Sequence, residues 1–365
     1  MGSEPAGSNP EPLDDVTIAL TDTERESARR TFAERAAGRR TGHLDDEDLL
    51  TEAELAASAL PDRLLRALRR FRRNSNAAGA MLVRNLPTDT TIPPTPVDGY
   101  LPNWGELPVA TYAQLAVAST VGDVIAYADE KAGNLVQDIV PVRGAADRQE
   151  NTGTVYLELH TENGFHPHKP DFITLLCLRP DHERTVQTIV GAVARVLPHL
   201  SWDAIAVLRT PLFRIQVSSS FGGNGAVGAR LVTDPMPVLS GPTAAPELVA
   251  DFHAMEPLTD QARDALAELK AALLATLRGA PLDVGDLLVI DNRTTIHGRA
   301  PFAARFDGTD RWLRRCFAVS DLRRSRGVRG PDSRVCDPLA TIGVATASTG
   351  GAPTIRIEEP AWTSS

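Results

Sequence analysis

The chain has 365 residues, of which 42% are hydrophobic and 23% are charged, a balance typical of a globular protein with a large core. Its net charge of −9 argues against general nucleic-acid binding, and it has no uninterrupted apolar run of the roughly 18 residues that suggest a membrane span. Only three cysteines are present, which predicts no disulfide framework and favours a cytoplasmic location.

The N-terminal part predicts a tail followed by helices. Residues 1–15 lack the basic and apolar regions of a secretory signal, and we expect them to be disordered. From Asp22 to Arg73, apolar residues recur three and four positions apart between charges, which predicts helices. A strand is expected within residues 79–87, a turn-rich loop over residues 87–99, and another helix over residues 111–122.

The rest of the chain predicts a mainly β fold with flanking α-helices. One strand is expected at Asn134 to Val142. After Thr154, one helix, TDQARDALAELKAALLATLRG, interrupts strand-like stretches that include TVYLELHTE, FITLLCLR, FRIQVSS, GARLVTD, DLLVIDN, RTTIHGRAPF and RWLRRCFAVSD. Short strands framed by helices favour a closed or sandwiched sheet. We therefore expect a single domain over residues 16–335, with a helical part at 16–75, a β core at about 135–322 and a partly ordered tail at 336–365.

A candidate metal site lies in the stretch VYLELHTE. Side chains of a strand alternate between two faces, so His160 and Glu162 are expected on one polar face together with Glu158. A histidine and a carboxylate two residues apart can occupy adjacent positions on one metal. With a distant histidine they would form the two-histidine, one-carboxylate set of non-haem Fe(II) oxygenases. Taken alone, the pattern also fits a hydrated polar strand face.

The second half of the chain supplies the missing partners. The stretch GDLLVIDNRTTIHGRAPF is a strand, a turn and a second strand that carries His297. In the following strand, Arg311 and Arg315 share a face, and buried arginines are costly unless they meet anions. The planar guanidinium suits carboxylates, and two alternatives are open: carboxylates of bound ligands, or carboxylates of structural salt bridges.

These stretches together resemble a known family. HTENGFHPHKPDF, LLCLRPDHERT and GDLLVIDNRTTIHGRAPFAARFDGTDRWLRR are similar to the clavaminate synthase-like Fe(II)/2-oxoglutarate-dependent oxygenases, which include arginine and asparagine β-hydroxylases of antibiotic pathways. The resemblance covers roughly Leu82 to Leu322. It implies a double-stranded β-helix (jelly roll) core, Fe(II) as cofactor, 2-oxoglutarate and O2 as cosubstrates, and a role in natural-product biosynthesis.

The resemblance also implies roles for particular residues. His160, Glu162 and His297 match the iron ligands of the family. Arg311 matches the arginine that binds the distal carboxylate of 2-oxoglutarate, and Thr188 matches a threonine that supports this carboxylate. The carboxylate ligand argues against halogenation, because related halogenases have a small residue in its place.

Four residues are predicted to contact the substrate. Arg315 matches an arginine that meets the substrate carboxylate, and Gln137 aligns with a position that touches the substrate amino group. Glu162 is also predicted to contact the substrate, in addition to its role as a metal ligand. Asp251 falls where the family places an aspartate against the far end of the substrate, although a helix-capping aspartate is an equal alternative. His253 stands where the arginine hydroxylases are expected to have a second acidic residue, which argues against arginine as substrate.

Other polar residues near the motif are expected to have supporting roles. His166 and His168 alternate with prolines and are interpreted as loop residues that line or cover the cleft. Glu158 either orients the first histidine or lines the cavity. His182 is expected to be structural, and Cys177 is expected in the core.

The resulting hypothesis is an oxygenase that acts on a small amino-acid-like molecule. Its substrate would be a free or nearly free L-α-amino acid with a long polar or basic side chain, hydroxylated at Cβ or the adjacent carbon. Cyclisation or desaturation remains open, as do two other classes. One is a zinc-dependent hydrolase or lyase using the same three ligands around an activated water, which leaves the two arginines unexplained. The other is a non-catalytic jelly-roll binding module.

Overall fold

The computed structural model describes residues 10–37, 44–145, 152–221, 230–342 and 355–358. The helices within these ranges are α1 (Asp22–Ala36), α2 (Glu47–Ala56), α3 (Asp62–Asn74), α4 (Pro108–Val121), α5 (Val193–Val196), α6 (Trp202–Leu208), α7 (Asp260–Ala275) and α8 (Leu339–Ile342). The strands are β1 (Glu11–Pro12), β2 (Thr17–Ala19), β3 (Ala80–Arg84), β4 (Asp123–Tyr127), β5 (Val136–Ile139), β6 (Leu157–His160), β7 (Phe172–Arg179), β8 (Gln187–Ala192), β9 (Phe213–Ile215), β10 (Arg230–Thr233), β11 (Leu239–Ser240), β12 (Glu247–Leu248), β13 (Met255–Pro257), β14 (Arg278–Pro281), β15 (Leu287–Asp291), β16 (Thr295–Arg299), β17 (Trp312–Val319), β18 (Val335–Cys336) and β19 (Ile355–Glu358).

Eight strands form the core and belong to two facing sheets. The major sheet contains the order β5–β17–β7–β15, and the minor sheet contains β6–β16–β8–β14, with antiparallel pairing throughout. From β5 to β8 and again from β14 to β17, consecutive strands alternate between the two sheets. This alternation is that of a jelly roll, so the predicted double-stranded β-helix is confirmed.

Helices cover the outer face of the major sheet. The central helix α4 is almost entirely buried, and it packs against α1, α2 and α3 on one side and against β7 and β17 on the other. The first helix begins with a capping box, in which the Thr21 side chain and the Glu24 carboxylate satisfy each other's backbone N–H groups. The helices predicted from Asp22 to Arg73 are confirmed, and together with α4 they cover the outer face of the major sheet.

The minor sheet is backed by a second apolar layer. Helices α6 and α7 pack on each other and, through Leu269, Leu273 and neighbouring residues, on the outward side chains of β8 and β16, such as Ile189 and Ile296. The alternate residues of the same two strands point between the sheets, where the candidate site residues lie. In the described residues, no helix has the length and apolar character that crossing a membrane requires.

The N-terminal tail predicted over residues 1–15 is wrong in its second half. Residues 1–9 lie outside the described residues, but β1 pairs in parallel with β14, with Glu11 opposite Arg278. Leu13 is buried, and the Arg278 guanidinium donates to the Pro12 carbonyl and the Asp15 carboxylate. The segment is ordered because it covers the edge strand of the minor sheet, which composition alone does not reveal.

Several elements of the second half were missed by the sequence analysis. The β region contains the short helices α5 and α6 in addition to the predicted α7, and it contains the strands β8 and β14. In the predicted C-terminal tail, Cys336 is buried within β18, and β19 pairs with β10. Residues 343–354 and 359–365 lie outside the described residues. These elements are short and weakly periodic, so the strands and helices that they contact determine their structure.

Candidate active site

The histidines and the glutamate predicted as ligands come together between the two sheets. Strands β6 and β16 pair so that His160 lies directly opposite His297, and their ring centroids are 4.4 Å apart. The Glu162 carboxylate follows the end of β6, and its Oε2 lies 3.4 Å from His297 Nε2. One donor atom from each of the three residues lies within 4.8 Å of the others. The structure therefore forms the cluster that the sequence predicted from two distant segments.

The local backbone holds the cluster in a ligand-competent orientation. His160 Nδ1 lies 2.8 Å from the Glu158 carbonyl oxygen, and donation to this oxygen leaves Nε2 free. The Asn292 side chain receives the Glu162 N–H at 2.9 Å and donates to the Glu162 carbonyl at 3.0 Å. Gly298 follows His297 in β16. A Cβ at this position would lie 2.6 Å from the Leu157 carbonyl oxygen, so glycine permits the close approach of β6.

The protonation states suit a metal ion. Burial disfavours the charged form of Glu162, but Arg315 and His297 outweigh it and hold the pKa of this carboxyl well below its usual value. Burial and the neighbouring His160 lower the pKa of His297, which keeps its imidazole neutral. Two histidine nitrogens and one carboxylate are the donor set that non-haem Fe(II) sites use. The residues present therefore fit Fe(II).

A buried network surrounds Arg315, which is 1% exposed. Its Nη1 donates to Glu162 at 2.9 Å, its Nη2 donates to Glu130, and its Nε and Nη2 donate to Gln137 Oε1 at 3.1 and 2.6 Å. The salt-bridge alternative considered from the sequence is thus realised at this arginine. Four of the five N–H groups of the guanidinium are engaged, and one remains for a ligand.

The same network changes the expectation for Gln137. Because arginine has only donors, the Gln137 oxygen must face Arg315, and its Nε2 is then a buried donor with no partner among the residues that the structure describes. A donor suits a carboxylate better than the substrate amino group that the resemblance implied. Glu130, which the sequence analysis missed, is the acidic group on this side. Burial outweighs Arg315 and raises the pKa of Glu130.

Arg311 has different surroundings. It is 5% exposed and directly precedes β17, and its Nη2 lies 3.4 Å from Thr188 Oγ1 on β8. Among the described residues it forms no ion pair with a carboxylate. The pairing with Thr188 agrees with the position expected for both residues, and the missing counter-ion leaves this arginine available for an anionic ligand.

A cavity of about 230 Å³ opens onto the cluster. Its wall includes His160, Glu162 and the further residues Glu130, Glu158, Asn163, Gly164, Phe165, Asp251 and His253. Asp251 forms an isolated bridge with His160, and its Oδ1 accepts the N–H groups of His253 and Ala254 at 2.9 and 2.8 Å. Asp251 therefore caps a turn, rather than a helix, through one oxygen while it also lines the cavity.

The remaining polar residues are placed as follows. Glu158 orients His160 through its backbone carbonyl, whereas its carboxylate lines the cavity and lies 3.2 Å from Lys270 Nζ. His182 Nε2 lies 3.2 Å from Asp310, which holds a surface loop, so its structural interpretation fits the contacts. Cys177 is buried in β7, where burial raises the pKa of its thiol to about 12.

The two histidines of the HPH segment do not reach the cluster. His166 is 1% exposed, accepts the His168 N–H through Nδ1 at 3.0 Å, and packs edge-on against Tyr127. Both histidines line a second cavity on the other side of Gly164 and not the one that opens onto the cluster. Their assignment to a loop holds, but the expectation that they line the cleft is wrong, because the chain turns away after Phe165.

Comparison with known families identifies the family of the chain. Residues 50–317 match the family described as "Taurine catabolism dioxygenase TauD, TfdA family". The chain belongs to this family. Its match covers both segments that supply the three clustered side chains, together with Arg311 and Arg315.

Characterised relatives cover most of the chain. An L-asparagine oxygenase of Streptomyces coelicolor is 42% identical over 88% of this chain and 94% of its own length. An L-lysine 3-hydroxylase of Catenulispora acidiphila is 35% identical over 85% of this chain and 87% of its own length. Clavaminate synthase 2 of Streptomyces clavuligerus is 33% identical over 76% and 85%, respectively.

Solved structures agree with the fold. An asparagine oxygenase in complex with Fe(II), 2S,3S-3-hydroxyasparagine and succinate superposes with a TM-score of 0.82 at 40% identity, covering 88% of this chain and 99% of that one. The non-heme iron oxygenase OrfP, in complex with Fe and alpha-ketoglutaric acid, gives a TM-score of 0.75 at 30% identity with the same coverage.

The protein is therefore a non-haem Fe(II)- and 2-oxoglutarate-dependent dioxygenase that uses O2. The predicted family, fold, enzyme class and cofactors are confirmed. A zinc hydrolase or a non-catalytic binding module is no longer needed to explain the cluster.

Proposed function

We propose that this enzyme hydroxylates a free L-α-amino acid at Cβ and that L-asparagine is its preferred substrate. The observation that carries the proposal is the position of the buried Arg315–Glu130 pair, which adjoins the His160–Glu162–His297 cluster. A cation and an anion beside an oxidation centre suit the carboxylate and ammonium groups of a zwitterion.

His160, Glu162 and His297 are the proposed Fe(II) ligands, and Arg311 with Thr188 is the proposed site for the distal carboxylate of 2-oxoglutarate. Fe(II) with these cosubstrates supplies an oxidation that inserts one oxygen atom into a C–H bond, while 2-oxoglutarate is converted to succinate and CO2. The protein itself would orient the proposed ligands His160 and Glu162 through the Glu158 carbonyl and the Asn292 side chain.

The amino acid backbone would be held by the network around Arg315. The remaining N–H of Arg315 and the free Nε2 of Gln137 are donors for the substrate carboxylate. The Glu130 carboxylate, which lines the cavity, would accept the ammonium group. Glu162 lies between this network and His297, so the Cα–Cβ region of the substrate would be close to the oxidation centre.

The far end of the cavity favours a short polar side chain. At about 230 Å³, the cavity is smaller than the roughly 300–1,000 Å³ typical of sites for drug-sized ligands. The second oxygen of Asp251 can accept an amide N–H there. The neighbouring residue His253 supplies no second negative charge for a guanidinium, so asparagine is preferred over arginine. The asparagine oxygenases among the relatives support this choice.

Succinate formation across a panel of L-amino acids tests the proposal. With Fe(II), 2-oxoglutarate and O2, L-asparagine should give the highest turnover, with D-asparagine, L-aspartate, L-lysine and L-arginine as comparators. Mass spectrometry should find one added oxygen, whereas loss of two hydrogens would indicate desaturation or cyclisation. The α-amide of asparagine should be a poor substrate. Faster turnover of L-lysine or L-arginine would refute asparagine and support the longer side chain expected from the sequence.

A cytoplasmic location is part of the same proposal, and it is supported by three buried free thiols. We propose no nucleic-acid partner, given the net charge of −9. Recovery of the activity in the soluble cytosolic fraction of the source cells would test the location.

A further inference from the structure

A second arginine lies beside the proposed cosubstrate site and has no assigned role. Arg299 ends β16 and points to the same side of the strand as His297, two residues earlier. In the pairing of β16 with β8, Arg299 lies directly opposite Thr188. Arg299 and Thr188 therefore lie side by side in the interior, in the layer of side chains next to the one that contains His297. Arg311 contacts Thr188 on this same side.

Arg299 and Arg311 differ from the other buried arginines in charge balance. Six arginines are buried in the described part of the chain, and four of them have a carboxylate partner: Arg278, Arg314, Arg315 and Arg334. Arg299 and Arg311, each 5% exposed, form no ion pair with any described residue. Two adjacent uncompensated cations are costly in a protein interior unless an anion joins them.

The hydrogen bonding of Arg299 is also incomplete. Its Nη2 donates to the Val155 carbonyl at 2.8 Å, whereas its Nε is buried and has no partner in the described part of the chain. The guanidinium carbons of Arg299 and Arg311 lie 4.9 and 5.9 Å from the centroid of the same Phe302 ring.

We propose that Arg299 is a second cation of the cosubstrate site, which acts with Arg311 and Thr188 to bind the distal carboxylate of 2-oxoglutarate. A carboxylate offers about four lone-pair positions, more than one arginine and one hydroxyl fill. The arrangement selects dicarboxylic 2-oxo acids over monocarboxylic ones. The inference rests on the proposed roles of Arg311 and Thr188 but not on the identity of the amino acid.

Arg299→Gln tests the inference, because glutamine can still donate to the Val155 carbonyl but carries no charge. Binding of 2-oxoglutarate and of 2-oxobutyrate, which lacks the distal carboxylate, is measured by anaerobic calorimetry on the Fe(II)-loaded enzyme. The variant should weaken binding of 2-oxoglutarate at least tenfold and leave 2-oxobutyrate within twofold. Selectivity that stays within twofold of the wild-type ratio would overturn the proposal. Because no turnover is needed, a wrong amino-acid assignment does not affect this result.

Two further variants separate charge from packing. Arg278→Gln removes a buried arginine of the same sheet that is already ion-paired, and it should leave both affinities unchanged. Arg299→Lys keeps the charge and should retain more affinity for 2-oxoglutarate than Arg299→Gln. If lysine and glutamine weaken binding equally, or if both 2-oxo acids lose affinity in parallel, Arg299 has a packing role and the proposal fails. Melting curves of all variants confirm that each is folded.

Discussion

Two regions of the jelly-roll interior contain buried arginines in opposite electrostatic states. The substrate end, defined by Glu130, Gln137 and Arg315, has its guanidinium held by two carboxylates and an amide. The cosubstrate end, defined by Thr188, Arg299 and Arg311, has two cations and no carboxylate partner among the described residues. Arg311 and Arg315 are four residues apart in the chain, so local sequence does not explain the difference.

Under the roles proposed above for Arg311, Arg315 and their neighbours, the contrast gives each end a different way of recognising its ligand. At the substrate end the charges are already neutralised, so the protein offers a fixed set of remaining donors and acceptors to a zwitterion. At the cosubstrate end the protein leaves positive charge uncompensated, and the ligand completes the ion pair. The substrate end is preorganised by the fold. At the cosubstrate end, the repulsion between two buried cations is unfavourable in the ligand-free protein, and binding of an anion would reduce it.

The largest expected effect comes from Glu162, which joins the cluster to the substrate end. Glu162→Gln keeps the shape but removes the charge that the metal and Arg315 share. Succinate formation should fall by more than about 100-fold, beyond the 10- to 100-fold typical for loss of a group that only supports a ligand. Metal affinity, measured by calorimetry with Fe(II) under nitrogen, should fall in parallel. Wild-type metal affinity in this variant would contradict the proposed ligand role.

The two arginines should differ most clearly in stability. Arg315→Met leaves Glu130 buried without its cation and should lower the free energy of unfolding by about 3–5 kcal/mol. Arg311→Met leaves no buried acidic group without its cation, so the free energy of unfolding of the ligand-free protein should be equal or higher. The KM for 2-oxoglutarate should rise roughly 10- to 100-fold. Urea unfolding and steady-state kinetics measure both quantities. Equal destabilisation by the two substitutions would contradict the proposed difference in charge balance between the two ends.

Ligand binding should stabilise the protein through the cosubstrate end. With Fe(II) bound, 2-oxoglutarate at about 100 times its dissociation constant should raise the free energy of unfolding by about 2.7 kcal/mol. At the same concentration the monocarboxylic 2-oxobutyrate should raise it far less, because it cannot neutralise Arg311. Thermal melts with each acid provide the measurement, and equal shifts would show that the distal carboxylate is not recognised.

The smallest expected effect concerns a buried group outside both ends. Burial lowers the pKa of His166 from 6.5 to about 3, so the unfolded chain takes up its proton well before the folded protein does. The stability that comes from keeping His166 neutral is fully present above the pKa of the unfolded chain and is lost as the pH falls. The free energy of unfolding should therefore decrease by about 2 kcal/mol between about pH 7 and about pH 5. His166→Gln should flatten that part of the pH–stability curve, whereas His199→Gln, at an exposed position, should not. Parallel curves for wild type and His166→Gln would contradict the assignment.

The sequence was informative where functional residues occur at short, recognisable spacings along the chain. The H-x-E pattern and the distant His297 predicted the cluster, the strand after them predicted two buried arginines, and the N-terminal helices followed from their periodicity. It was uninformative where function depends on which strands become neighbours. Glu130 lies in a turn with no motif, and Arg299 is conspicuous only because no described residue supplies a counter-ion for it.

The sequence alone predicted the enzyme family, the metal-binding residue types and the inward orientation of His160 by strand alternation, whereas Glu162 lies beyond the end of β6. The tertiary structure decided the charge balance of the interior and the direction of Gln137, and it separated His166 from the cavity that opens onto the cluster. The physical reason is that side-chain alternation is a local property of a strand, whereas hydrogen bonds and ion pairs form across strands. The register of β16 with β6 and β8, and of β17 with β5, brings together residues more than 100 positions apart.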